Sequence, residues 1–115
     1  MKKALITVFG LLVATSSFAN TDNKFSIINA TTNTPISFMW YGSDGQKECD
    51  EFIIQPNRQL SIPVEDNDPV AFIGVFDAPN CQGAEIVKPK FEAGVSVTCE
   101  DNQGAIACEV GRNNS

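Results

Sequence analysis

The chain has 115 residues, with fourteen acidic and eight basic side chains and a formal net charge of −6 at pH 7. It contains no histidine, which excludes Ser-His-Asp and Cys-His catalysis and every zinc site that needs imidazole. The excess of negative charge disfavours binding to nucleic-acid phosphates or to an anionic membrane surface. We therefore expect no nucleic-acid partner and no cofactor.

The first 19 residues have the pattern of a secretory signal peptide. Two lysines precede an apolar run over residues 4–14, and Ser17 and Ala19 place small side chains at the −3 and −1 positions of a cleavage site. The run is shorter than the roughly 20 residues that a membrane span needs. Removing 19 of the 115 residues leaves a single domain of 96 residues, 20–115, with no membrane insertion. The short signal is typical of a bacterial protein that is periplasmic or secreted.

Four cysteines lie in the predicted mature chain: Cys49, Cys81, Cys99 and Cys108. An even count in a short exported chain predicts two disulfides formed in an oxidising compartment. A zinc site of four thiolates usually needs closely spaced cysteine pairs, and no two cysteines here are closer than nine positions. We therefore predict disulfides and no metal site.

A predicted hairpin near the C-terminus bears on the disulfide pairing. Two alternating segments flank Gln103 and Gly104, which fit a two-residue turn in which glycine supplies a positive φ. With that turn Cys99 lies directly opposite Cys108, which favours a bridge between them. Elimination then pairs Cys49 with Cys81, although an up-and-down meander places these two at opposite ends of the molecule. From the sequence, the connectivity stays open.

Eight short runs of β-branched and aromatic residues, separated by Asn, Gly, Pro and Asp, predict an all-β chain. Their regular spacing is typical of a small antiparallel β-sandwich, so we expect seven to eight strands around one core. The predicted strands are residues 24–29, 36–41, 48–54, 59–64, 70–76, 84–91, 95–99 and 105–110.

Alternation within the predicted strands assigns their side chains to two faces. In the second strand the larger apolar set is expected inside, so that Met39 and Tyr41 face outward. In the fifth strand we place Phe72 in the core, which turns Ile73 and Val75 outward. These four outward side chains predict an apolar patch that binds a partner or a second copy, unless the chain's own second layer or tail covers it.

An acidic turn is the second candidate binding surface. It carries Glu65, Asp66 and Asp68 just before Pro69. In a meander the same end of the molecule also carries Asp44, Glu48 and Asp50. The turn lacks the spacing of an EF-hand calcium loop, so we interpret it as solvated and suited to docking a cationic partner.

Four stretches of strand and turn residues follow one another in a fixed order over residues 25–78, and this order supports the sandwich. They are residues 26–31, 36–40, 52–57, and 68–70 leading to 76–78. In this order they resemble the β domain of the von Hippel-Lindau family and its secreted bacterial look-alikes, which implies a small β-sandwich used as an interaction platform. That family binds a hydroxyproline peptide through a histidine and a tryptophan. Here Val70 and Ala71 occupy the matching region, so the resemblance does not carry that site over.

Together these features predict an exported, non-enzymatic module that binds a protein or other macromolecular partner, with no catalytic residues. Two alternatives remain. The first is an inhibitor of a hydrolase, in which the loop over residues 77–83 plugs an active site. The second is a carboxylate-based hydrolase, although glycosidase clefts usually carry several aromatic platforms and this chain has one Trp and one Tyr, adjacent in one strand.

Overall fold

A computed structural model describes residues 23–112, and the predicted signal peptide lies outside these residues. Eight strands form two four-stranded sheets, which confirms the small all-β sandwich. The first sheet has the order β4-β1-β7-β8 and the second sheet the order β3-β2-β5-β6. The strands are β1 (Lys24–Asn29), β2 (Ser37–Gly42), β3 (Lys47–Cys49), β4 (Arg58–Pro63), β5 (Val70–Phe76), β6 (Glu85–Val87), β7 (Val95–Asn102) and β8 (Ala105–Arg112). Among residues 23–112, no helix has the length and apolarity to cross a membrane.

The core lies between the inner faces of the two sheets. The Trp40 ring is packed edge-on against Phe38 and Phe91, at 5.5 and 5.8 Å between ring centroids. Each aliphatic or aromatic side chain that is fully removed from water contributes roughly 1.5–3 kcal/mol, so this layer supplies most of the stabilising free energy. The buried cluster consists of Phe25, Ile27, Ile36, Phe38, Trp40, Ile54, Leu60, Ile62, Ile73, Val75, Phe91, Val95, Val97 and Cys99.

In the first sheet, β1 is antiparallel to β4 and parallel to β7, and β7 continues into β8 through a tight turn. Gln103 and Gly104 both have positive φ, at 52° and 86°, as a two-residue hairpin turn requires. The register places Cys99 opposite Cys108, and the two are disulfide-bonded. The hairpin is longer than predicted, because pairing continues beyond Cys99 to Asn102.

The second sheet explains the other disulfide, between Cys49 and Cys81. Strands β3 and β5 are both antiparallel to β2, so they run in the same direction and end at the same side of the sheet. Strand β3 is shorter than predicted and ends at Cys49, and the connection after β5 carries Cys81. The chain is not a simple up-and-down meander, because it crosses from one sheet to the other after β1, β3, β4 and β6. The argument that a meander would place Cys49 and Cys81 at opposite ends therefore does not apply.

The predicted outward orientation of Ile73 and Val75 is also wrong. Both side chains are 0% exposed and belong to the core. Strand β5 is apolar on both faces, so alternation alone does not choose between them. Its register against β2 decides, because Ile73 lies opposite the buried Trp40, whereas Phe72 lies opposite Tyr41 on the other face.

Candidate binding surface on the second sheet

The outer face of the second sheet, the face turned away from the core, carries a set of cross-strand pairs. Opposed residues of antiparallel strands share a face, so the pairing of β2 with β5 defines three rows. The rows are Ser37 with Phe76, Met39 with Gly74, and Tyr41 with Phe72. The first row is buried, whereas Met39, Tyr41 and Phe72 are half-buried.

A short 3-10 helix, Pro79–Cys81, packs over the first row. The Ser37 hydroxyl donates to the carbonyl oxygen of Ala78 at 2.6 Å and accepts the Cys81 N–H at 2.7 Å. The disulfide to Cys49 ties the same segment to β3. The connection after β5 therefore covers the Ser37 end of the outer face and leaves the Tyr41 end to solvent.

Glu85 approaches the middle row from β6. Its carboxylate accepts a hydrogen bond from the Tyr41 hydroxyl. A Cβ at position 74 would clash with Glu85 Oε2 and would lie 2.8 Å from Tyr41 Cε1, so glycine leaves the room that this carboxylate occupies. Partial burial, the hydrogen bond and the negative charge of Glu85 together raise the pKa of Tyr41 to about 12.

Lys88 extends over the two rings of the third row. Its Nζ lies 4.6 Å from the centroid of the Tyr41 ring and 5.6 Å from that of Phe72. Both distances fall within the roughly 6 Å at which a ring face attracts a cation. We call the group formed by Tyr41, Phe72, Glu85 and Lys88 the ring site.

The acidic turn adjoins the ring site. The Ser43 N–H donates to the carbonyl oxygen of Pro69 at 2.8 Å, which holds the β2–β3 turn beside the β4–β5 loop. Asp44 therefore lies at the same end as Glu65, Asp66 and Asp68. This end follows directly on the third row, since the next position of β2 pairs with the first residue of β5.

Asp50 does not belong to the acidic end, contrary to the sequence prediction. It is 5% exposed, and its carboxylate accepts the Trp40 indole N–H at 2.8 Å and the Phe52 N–H at 2.8 Å. Glu48 lies opposite Trp40 in the ladder, beyond the turn. Asp50 differs from the prediction because β3 ends at Cys49 and the next residue is directed toward Trp40 in the core.

The ring site contains one residue of the predicted apolar patch and adds others. Tyr41 is a member of the site and Met39 borders it, whereas Ile73 and Val75 lie in the core. Glu85 and Lys88 were not predicted from the sequence, because only the pairing of β6 with β5 brings them to this face. A glycine inside an otherwise apolar strand was the available indication of a close approach.

Within residues 23–112, no group of three or more His, Cys, Asp or Glu side chains is arranged to hold a metal ion. The chain matches no protein-family model, and no curated protein matches it at a significant level.

Proposed function

We propose that the protein is an exported, non-enzymatic module that binds another macromolecule through the ring site and the adjoining acidic turn. The observation that carries the proposal is the pair of aromatic rings, Tyr41 and Phe72, side by side and half-buried on a sheet face turned away from the core. Aromatic side chains supply large contact areas and are enriched at the energetic centres of protein interfaces.

The scaffold beneath the rings is suited to binding. Tyr41 and Phe72 stand on paired strands whose inner residues belong to the core, so little conformational entropy is lost when a partner docks. The resemblance to von Hippel-Lindau β domains favours the same use of a small sandwich. Export is supported by the signal-peptide pattern and by two disulfides, which persist in oxidising compartments.

A pull-down from the native surroundings tests the proposal. The oxidised mature chain serves as bait, beside a Tyr41→Ala/Phe72→Ala double variant. A Val110→Ala variant is the matched control, since Val110 is 50% exposed on β8 of the first sheet. We expect a partner that wild type and control retain and the double variant loses. Retention of the same proteins by all three baits would refute the proposal.

A second candidate function is inhibition of a hydrolase by the loop over residues 77–83. The loop is preorganised, because Cys81 is disulfide-bonded and the Asp77 carboxylate accepts the Ala84 N–H at 2.8 Å. Its tip residues Asn80 and Gln82 are exposed. Rigid loops lose little entropy on binding, which favours tight inhibitors. Stoichiometric inhibition of a hydrolase by wild type, with no inhibition by an Asn80→Ala/Gln82→Ala variant, would support this function. Equal inhibition by both proteins would exclude this loop as the inhibitory segment.

A further inference from the structure

We propose that the ring site takes a lysine or arginine side chain from a basic peptide segment, and that Lys88 fills the place of this side chain in the free protein. The inference rests on the proposed function and gives its partner a chemistry. It follows from three features of the site: the ring faces, the anchored carboxylate and the charge around them.

The ring faces already hold a cation. The Lys88 ammonium lies over both Tyr41 and Phe72, and the negative face of each ring attracts it. Lys88 is exposed, so this contact is open to solvent. A flexible four-carbon stem allows the ammonium to leave and an incoming cation to take its place. The contact within the chain thus shows the ligand chemistry that the rings accept.

The Glu85 carboxylate makes the site favour a cation over an anion. The Tyr41 hydroxyl fixes its position, and Gly74 leaves the space in which it lies. A carboxylate that is hydrogen-bonded to Tyr41 adds an ion pair to the attraction of the rings for a cation, and it repels an anionic group. Tyr41 is protonated at neutral pH, where even an unperturbed tyrosine keeps its proton, so its hydroxyl continues to donate to Glu85.

The surroundings favour a basic segment over an isolated cation. The exposed carboxylates of Asp44, Glu65 and Asp66 lie at the adjoining end of the outer face, and the whole chain carries a formal net charge of −6. Lys47 lies opposite Tyr41 on β3, where it is exposed. Lys90, which pairs with Phe72, is a second exposed cation beside the site, and its ammonium forms an ion pair with Glu92 at 3.7 Å. The carboxylates of Glu85 and of the adjoining end, Asp44, Glu65, Asp66 and Asp68, outnumber Lys47, Lys88 and Lys90. A negative end beside the ring site raises the rate of encounter with a basic chain.

Calorimetric titration with a tetralysine peptide tests the inference, with a tetraglutamate peptide as the control ligand. The oxidised mature chain is compared with Lys88→Gln and Glu85→Gln. Two variants with matched charge changes on the first sheet, Arg58→Gln and Glu100→Gln, serve as control proteins. Both positions are exposed.

We expect wild type to bind tetralysine and not tetraglutamate. The Kd of Lys88→Gln for tetralysine should be about threefold lower than that of Arg58→Gln, because Lys88→Gln removes the internal competitor as well as a positive charge. Glu85→Gln should weaken tetralysine binding about fivefold, and Glu100→Gln less than twofold. Equal effects within either matched pair, or binding of tetraglutamate, would overturn the inference. Absence of tetralysine binding would also overturn the inference. The proposed function would still stand if the pull-down finds a partner that wild type retains and the Tyr41→Ala/Phe72→Ala variant loses.

Discussion

The outer faces of the two sheets differ in chemistry, although their inner faces are alike. The outer face of the first sheet has no aromatic ring on any of its four strands; it carries Ser26, Ile28, Ser61, Ser96 and Thr98, and the charged residues Lys24, Glu100 and Glu109. The outer face of the second sheet carries Met39, Tyr41, Phe72, Glu85 and Lys88. Folding requires apolar inner faces, whereas it leaves the outer faces less constrained. Aromatic rings concentrated on one outer face therefore indicate function more than folding.

The two faces of β5 give the largest expected difference in stability. Ile73→Asp places a carboxylate in the core and should lower the free energy of unfolding by about 5 kcal/mol or more. Phe72→Asp, one residue earlier on the outer face, should cost about 1 kcal/mol, since its carboxylate reaches water and Lys88. Urea unfolding of the oxidised mature chain measures both. Similar losses for the two variants would contradict the assignment of faces.

The two disulfides extend the comparison, because Cys49 lies on the outer face of the second sheet and Cys99 on the inner face of the first. They close loops of different length, with sequence separations of 32 and 9. Chain entropy predicts a loss of roughly 4 kcal/mol for Cys49→Ala/Cys81→Ala and roughly 3 kcal/mol for Cys99→Ala/Cys108→Ala.

Equilibrium unfolding of both double variants checks that order. The longer loop should give the larger loss if the bridges act mainly on the unfolded chain. A clearly larger loss for Cys99→Ala/Cys108→Ala would mean that cavity formation around the buried Cys99 outweighs chain entropy.

The sequence was sufficient to predict most of the fold. Turn residues and alternation predicted eight strands, and the register of the C-terminal hairpin placed Cys99 opposite Cys108. Alternation assigned Trp40 to the core correctly, because the opposite face of β2 is less apolar. It failed for Ile73, because both faces of β5 are apolar and only pairing with β2 distinguishes them.

The ring site was harder to predict than the fold. Tyr41 was found because it alternates with core residues of its own strand. Glu85 and Lys88 are distant in sequence from Tyr41, and they meet it only through the pairing of β5 with β6. Local patterns contain no information on such long-range pairing. The isolated Gly74 was the one local indication that a side chain approaches the sheet there.

An Asp50→Ala variant tests whether Asp50 belongs to the buried core or to the solvated acidic end. Asp50→Ala removes the acceptor of the Trp40 indole N–H and of the Phe52 N–H. Because buried donors lose their partner, we expect a loss of about 2 kcal/mol and a change in the fluorescence of the only tryptophan. The matched Asp66→Ala change in the exposed turn should cost less than about 0.5 kcal/mol. Equal losses in the free energy of unfolding for the two variants would contradict the burial of Asp50 and assign it to the solvated acidic end.

The smallest expected effect concerns the titration of Tyr41, which is the only tyrosine in the chain. Ultraviolet absorbance after a rapid pH jump should give a midpoint near 12 in the folded protein, against 10.0 for an unperturbed tyrosine. A raised pKa means that the contribution to stability is complete below pH 10 and is lost as the pH rises through about 12.

Two variants show whether Glu85 contributes to this shift. Glu85→Gln removes the negative charge, and Gly74→Ala displaces the carboxylate through its new Cβ. Both should move the midpoint toward 10 while stability changes by less than about 1 kcal/mol. A wild-type midpoint at 10, or a midpoint that neither variant changes, would contradict the contact between Tyr41 and Glu85.

An NMR titration of the ¹⁵N-labelled, oxidised mature chain with tetralysine compares both outer faces in one measurement. Our account predicts that the amide resonances of Tyr41, Phe72, Gly74, Glu85 and Lys88 shift with the added peptide. The amides of Ser26, Ser96 and Thr98 on the first sheet should stay in place. Shifts confined to the first sheet, or of equal size on both faces, would contradict the central claim that the second sheet carries the binding surface.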